Sequence, residues 1–199
     1  MNIALSSRDN LIAIARDLII DRGFSAMSVS TVCAAAKVTK GSFFHHFSSK
    51  DELGEVVLEK FWKDVQERHS AADYQQADNP LSALYGYIDH AIETYQDPEF
   101  RGCLLAVFTS ELKETHPALY AKSVPYFVEW KAEVEELLRN AATFCPPRGP
   151  FDATIWAELY ISAVEGVLIL AKAENNLEVI ARVLNLFRDQ LKLVFQIHH

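Results

Sequence analysis

Apolar residues recur at spacings of three and four along most of this chain and nowhere alternate over the length of a strand, which predicts an all-α fold of about nine helices. Leu11, Ile12, Ala15, Leu18 and Ile19 fall on one face of a helix from Arg8 to Arg22, with Ser7 as its cap and Gly23 as its stop. Ser28 can cap a short helix to Ala36 whose inner face carries Val29, Val32, Cys33 and Ala36. Lys37-Val38 makes a turn, Thr39 caps a second short helix through His46, and Phe43 and Phe47, one turn apart, face inward. Ser49 then opens a longer helix to about Ser70, with Glu52 at the third position of a capping box.

Punctuation places the remaining helices. Asn79-Pro80 is a cap followed by proline at the first helical position, and Leu81, Leu84, Tyr85, Ile88 and Ile92 share a face until Asp97-Pro98. A short apolar helix covers Cys103 to Leu112, and a long one runs from Thr115-His116-Pro117 to about Ala142, bent near Pro125 where a backbone donor is missing. After the irregular linker Cys145–Pro150, Asp152 caps the first of two closing helices, about 152–173 and 176–196, hinged at Asn175-Asn176. Leu159, Val164, Val167, Leu168 and Ala171 on the first, with Leu184, Phe187 and Leu191 on the second, exceed what two terminal helices hide within one small body. They are expected to meet their copies across a two-fold axis in a four-helix contact.

At 199 residues the chain holds one large or two small domains. No uninterrupted apolar run approaches the roughly 18 to 20 residues of a membrane span, and the N-terminus lacks the regions of a secretory signal, so the expected compartment is the cytoplasm, without a membrane partner. Cys33, Cys103 and Cys145 show no CxxC or zinc spacing and are expected to stay reduced. His45 and His46 diverge by about 100° on a helix with no third ligand close by, which argues against a metal site. No nucleophile–base spacing, catalytic carboxylate pair or phosphate-binding glycine loop stands out, so neither catalytic residues nor a cofactor are expected.

Charge changes the picture more. The first 53 residues hold six Lys or Arg and five Asp or Glu, so the formal charge of −8 arises beyond them. Between Gly23 and Lys50 there is no acid at all, where the average composition places roughly four. Lys37, Lys40, Lys50, His45 and His46 stand there instead. A surface that meets DNA phosphates must lack negative charge, so the helix-turn-helix in this window is read as a DNA-binding element.

The order and spacing of Arg22-Gly23-Phe24, the Ser28 cap, Lys40-Gly41-Ser42-Phe43, His45-His46-Phe47 and Ser49-Lys50-Asp51-Glu52-Leu53 resemble the DNA-binding head of the TetR family of transcriptional regulators. The likeness is close from Leu11 to Leu53 and loosens beyond to helix number and length. It implies a homodimer in which residues 1–53 form a three-helix head and residues 54–199 a helical ligand-binding and dimerising body. Its partners would be a palindromic operator in double-stranded DNA and a small-molecule effector.

If the second short helix enters the major groove, Thr39 and the amides of Lys40 and Gly41 can hold a phosphate, and Lys40 and Ser42 reach base edges or phosphates. His45 shares their outer face, Ser28 and Lys37 lie close by, and Lys50 is expected to clamp a flanking phosphate. Two positions depart from the family. Phe44 stands where Tyr is usual and has no hydroxyl for a phosphate. Lys37 stands where Gly is usual in the turn, and a left-handed conformation there strains it by roughly 1 kcal/mol.

By the same resemblance Phe61, Trp62, Tyr85, Ile88, Ile92, Cys103, Val107, Phe108, Phe127, Trp130 and Tyr160 surround an effector cavity, although such a stripe is more often plain core. Asp89, His90, Glu93 and Glu111 are candidate polar contacts. Cys103, within Arg101-Gly102-Cys103-Leu104-Leu105, resembles a cysteine that senses electrophiles or oxidants in part of the family. A thiol in the first turn of a helix beside an arginine is more easily deprotonated, and a buried small hydrophobe is the alternative. The resulting expectation is repression relieved by an effector or a thiol-reactive compound, with the helix from Ser49 to Ser70 as a lever. Against it stands an all-helical ligand carrier or enzyme whose head is only structural.

Overall fold

The computed structural model describes residues 6–195, and among them every regular element is a helix. In chain order these are α1 (Ser7–Arg22), α2 (Val29–Ala36), α3 (Lys40–His46), α4 (Lys50–Ser70), a 3₁₀ turn (Asp73–Gln76), α5 (Pro80–Gln96), α6 (Leu104–Glu111), α7 (Pro117–Phe144), α8 (Ala153–Glu174) and α9 (Glu178–Val194). Met1–Leu5, which bear on the secretory signal, and Gln196, the expected end of the last helix, lie outside the described residues.

Local chemistry fixes the helix ends. Ser6, not Ser7, caps α1 by accepting from the Asp9 amide at 3.1 Å, and Gly23 closes the helix at φ 85°. At α2 the capping box is reciprocal: Ser28 Oγ accepts from the Thr31 amide at 3.1 Å and Thr31 Oγ1 from the Ser28 amide at 2.9 Å. At α4 Ser49 Oγ accepts from the Glu52 amide at 3.0 Å, while the Glu52 carboxylate reaches one residue further back, to the amide of Ser48 at 2.7 Å and its hydroxyl. Those bonds from Ser48 hold the Glu52 carboxyl below its ordinary range. Asn79 caps α5 with Pro80 behind it, Asp152 caps α8, and Asn175 ends α8 in the left-handed conformation at φ 50°. Cys103 is the residue before α6 rather than part of its first turn, and α7 runs through Pro125 without interruption.

The chain divides into two compact units, and neither follows the expected boundary at residue 53. The first runs to Gln66 and includes Cys103–Phe127, because α6 packs on α1. Leu11, Ala15, Ile19, Phe24, Phe43, Leu53, Leu58 and Phe108 are fully buried in it, with Phe24 and Phe108 edge to face at 5.7 Å between centroids.

The second unit comprises Glu67–Gly102 and the chain from Val128 onward. Here α9 packs on both α5 and α8. That arrangement buries most of the residues expected at the dimer surface. Val164, Val167, Ala171, Leu184, Phe187 and Leu191 are buried within the chain itself, because α9 offers its apolar stripe to α5 as well as α8. Leu168 is half-buried, and of the expected set only Leu159 is well exposed, at 51%. The outward apolar side chains are instead Ile155, Leu159, Ile169 and Leu170 on α8 and Leu186 and Leu193 on α9. This second apolar face makes α8 long and apolar enough, by length and composition, to cross a membrane, yet its opposite face is packed against α9.

Candidate nucleic-acid interface

α2, the turn and α3 are built as one piece. The turn residue Lys37 adopts φ 56° and ψ 41°, the left-handed conformation that its position demands, and the Val38 amide donates to Cys33 O at 3.0 Å. Asn10 Nδ2 on α1 donates to Ala36 O at 3.3 Å and ties the turn to the first helix. Phe43 and Phe47 are buried and anchor α3 from beneath.

The opposite side of α3 is open. Thr39, Lys40, Gly41, Phe44 and His45 are exposed, with Lys37 beside them, and no carboxylate belongs to this stretch of chain. Thr39 Oγ1 accepts from the Ser42 amide at 3.1 Å, so that hydroxyl serves the helix, while the amides of Lys40 and Gly41 begin it. Ser42 is half-buried, its hydroxyl 3.4 Å from that of Ser7. A Cβ placed on Gly41 meets nothing nearer than Thr39 Oγ1 at 3.7 Å. Packing within the chain therefore does not require this glycine, and its small size leaves room for an outside partner to approach the backbone.

Two cations depart from expectation. Lys50 Nζ donates to Phe24 O and Met27 O, both at 3.2 Å, and sits 4.3 Å from the centre of the Phe24 ring. It clamps the α1–α2 loop, adding a second donor to Phe24 O, which already accepts from the Met27 amide at 3.1 Å, and a donor to Met27 O. Arg8, exposed at the start of α1, lies 5.3 Å from the Phe47 ring centre and adds a positive charge beside α3. No local pattern points to Arg8, since its neighbour is 39 positions away. Ser28 is exposed with its hydroxyl engaged in the cap of α2. His45 and His46 pack edge to face at 5.0 Å, and among the described residues no three His, Cys, Asp or Glu side chains are placed to hold a metal ion.

The candidate effector residues separate by unit. In the first unit Trp62 and Phe108 are buried, Trp62 stacked on Tyr126 at 5.3 Å, while Phe61, Cys103, Val107 and Phe127 are half-buried. In the second, Ile88, Ile92, Trp130 and Tyr160 are buried and Tyr85 is half-buried. Trp130 Nε1 donates to the Tyr87 hydroxyl at 3.0 Å, and burial pushes the phenols of Tyr87 and Tyr160 far above their ordinary range. Burial also raises Tyr85, to about 12.

The second unit also holds an open cleft of about 490 Å³ at the end of α4, the 3₁₀ turn and α5. Arg68, Asp73, Tyr74, Asp89, His90 and Glu93 line it, so three of the expected polar contacts come together there without any of the expected apolar ones. The fourth, Glu111, belongs to the first unit and bonds the backbone of Phe24 and Ser25. Gly86 is needed at this cleft because a Cβ there would lie 2.8 Å from that of Tyr74.

Comparison with known proteins accounts for both the head and the body. The sequence model of bacterial regulatory proteins, tetR family, matches residues 11–57, and that of the LmrA/YxaF-like transcriptional regulator C-terminal domain matches residues 80–185. The HTH-type transcriptional repressor DhaR of Mycobacterium sp. strain GP1 is 27% identical over 184 residues, 92% of this chain and 91% of that one. The HTH-type transcriptional repressor KstR2 of Rhodococcus jostii strain RHA1 is 33% identical over 154 residues, 76% of this chain and 71% of that one. A TetR transcriptional regulator from Chloroflexus aurantiacus shares the fold with a TM-score of 0.84, at 20% identity, over 96% of this chain and 97% of that one. The chain belongs to the TetR family of bacterial regulatory proteins, and it is a DNA-binding transcriptional regulator.

Proposed function

We propose that this regulator is a repressor that works in the cytoplasm as a homodimer and leaves a palindromic operator when a small-molecule effector binds. The exposed, acid-free surface of Lys37, Thr39, Lys40, Gly41 and His45 carries this reading, because it can approach phosphate without repulsion. DhaR and KstR2, both named as repressors, are its relatives. Two copies joined through the outward apolar residues of α8 and α9 would bring two α3 helices to a palindrome, whose half-sites lie about one duplex turn, or a multiple of it, apart. An effector that favours another spacing of the heads lowers operator affinity by its differential affinity for the two states. In the first unit the half-buried Phe61, Val107 and Phe127 are the apolar candidates it can reach without unpacking a core.

Cys103 supports a second form of the same reading. It is half-buried at the cap position of α6, and a thiolate at a helix start is electrostatically favoured. Unchanged release from DNA by quinones or aldehydes in Cys103→Ser would remove this form and leave the non-covalent effector.

Titration with the DNA upstream of the chain's own coding sequence at several salt concentrations tests the reading. Affinity should fall steeply with salt, and Lys40→Ala should lower the slope by about one. Absence of binding at low salt would favour the ligand carrier.

A further inference from the structure

The loop between α1 and α2 is gripped from two sides. Glu111, the last residue of α6, lies 87 positions along the chain from Phe24, and its Oε2 accepts from the Phe24 amide at 2.8 Å. Its Oε1 accepts from the Ser25 amide, also at 2.8 Å. Lys50 takes the carbonyls of Phe24 and Met27 in the same loop. Burial alone would raise the Glu111 carboxyl, but the bonds from Ser25 and Phe24 and the charge of Lys50 outweigh it and hold the group ionised, below its ordinary range. Gly23 makes room for this contact: a Cβ there would lie 2.7 Å from Glu111 Oε2, and its φ of 85° suits only glycine.

The loop leads directly into Ser28, the cap of α2, so wherever it is held decides where the helix-turn-helix starts. We propose that Glu111 is a positioning residue for operator binding, its two-oxygen grip on the Phe24 and Ser25 amides fixing α2 and α3 to the end of α6. The proposal rests on the DNA-binding function given above. A shift of α6 then reaches the head through two charge-assisted hydrogen bonds, which are directional, rather than through apolar packing, which can slide.

The test begins by selecting DNA from a random pool with the wild-type protein. Selection of nothing removes the DNA-binding function itself, and with it any role of Glu111 in operator binding. If DNA is selected, wild type, Glu111→Gln and Glu111→Asp are compared on it across a salt series, alongside helical content and amide hydrogen exchange. Loss of the grip in Glu111→Gln should weaken binding about tenfold or more, with helical content and salt slope unchanged because the phosphate contacts remain. The amides of Phe24 and Ser25 should exchange faster, and Glu111→Asp, charged but shorter, should fall between. Binding by Glu111→Gln within about twofold of wild type overturns the proposal. If Glu111→Gln does not fold, Glu111→Asp decides: weaker binding at an unchanged slope supports the positioning role, and wild-type affinity overturns it.

Discussion

The ammonium of Lys50 lies 4.3 Å from the centre of the Phe24 ring and donates to the carbonyl of the same residue at 3.2 Å. A lysine that its acid-free surroundings mark as a phosphate ligand is thus an internal brace. Lys50→Met keeps the apolar stem but removes the ammonium from two loop carbonyls, of which Phe24 O keeps the Met27 amide at 3.1 Å, at a cost of about 1–3 kcal/mol in urea unfolding. The slope of operator affinity against salt should not change. A slope smaller by about one would return Lys50 to the phosphate backbone.

Lys37 should respond with opposite signs in two measurements. Its left-handed conformation at φ 56° strains any residue with a Cβ, so Lys37→Gly should stabilise the head by about 1 kcal/mol and raise its unfolding midpoint. The same change removes an exposed cation next to α3, so operator binding should weaken and become less sensitive to salt.

Phe44 is 55% exposed and rests edge-on against Phe43 at 5.2 Å. Phe44→Tyr adds a hydroxyl at the open end of the ring without disturbing that contact. A new bond to a phosphate is worth about 0.5–1.5 kcal/mol. Tighter binding should therefore be seen equally on operator and unrelated DNA, because phosphate contacts carry no sequence information. Tightening confined to the operator would mean that the ring meets a base edge.

The features legible in the sequence are those held by local chemistry. The Ser28 and Thr39 caps, the Asn79-Pro80 start of α5 and the Asp152 cap each depend on residues within three positions, and each stands where its residue type places it. Contacts between distant segments leave no such mark. Glu111 with Phe24, Arg8 with Phe47 and Arg188 with Asp89 join residues whose separation has no period. Most residues expected at the dimer surface are buried within the chain for a different reason. α8 is apolar on two faces, and helical spacing identifies each face without saying which one α9 covers.

His90 gives the second unit a pH dependence. Its Nε2 is buried without a hydrogen-bond partner, its ring is 5.7 Å from that of His69 and 5.9 Å from that of Tyr74, and Arg68, Asp73 and Glu93 carry the charges around it. Burial, then the positive charges of His69 and Arg68, lower its pKa, with Glu93 and Asp73 opposing. As pH falls through about 6.5 the unfolded chain binds a proton that the folded chain still refuses, so stability declines from there down to the folded pKa. Above that range His90 contributes no pH dependence. In urea unfolding between about pH 8 and pH 5, His90→Gln should flatten the acidic limb, and an unchanged limb would assign it to another group.

The outward face of α8 and α9 yields the last prediction. Ile169 is 70% exposed and Leu186 is 60% exposed, so a glutamate at either position is fully hydrated in one isolated chain and should leave its fold intact. If a second copy covers this face, the same glutamate must lose its water in the dimer, a penalty of several kcal/mol per ion that occurs twice by symmetry. Ile169→Glu and Leu186→Glu should therefore sediment as monomers with wild-type helical content. Each should also lose most operator affinity, because a single head makes half the phosphate contacts. Val164→Glu is the contrasting case: Val164 is 0% exposed inside the chain, so the charge should unfold the second unit rather than merely separate the copies. A dimer that survives both Ile169→Glu and Leu186→Glu would place the pairing surface elsewhere, since two buried, unpaired carboxylates cannot be accommodated in a packed helical contact without a partner for each.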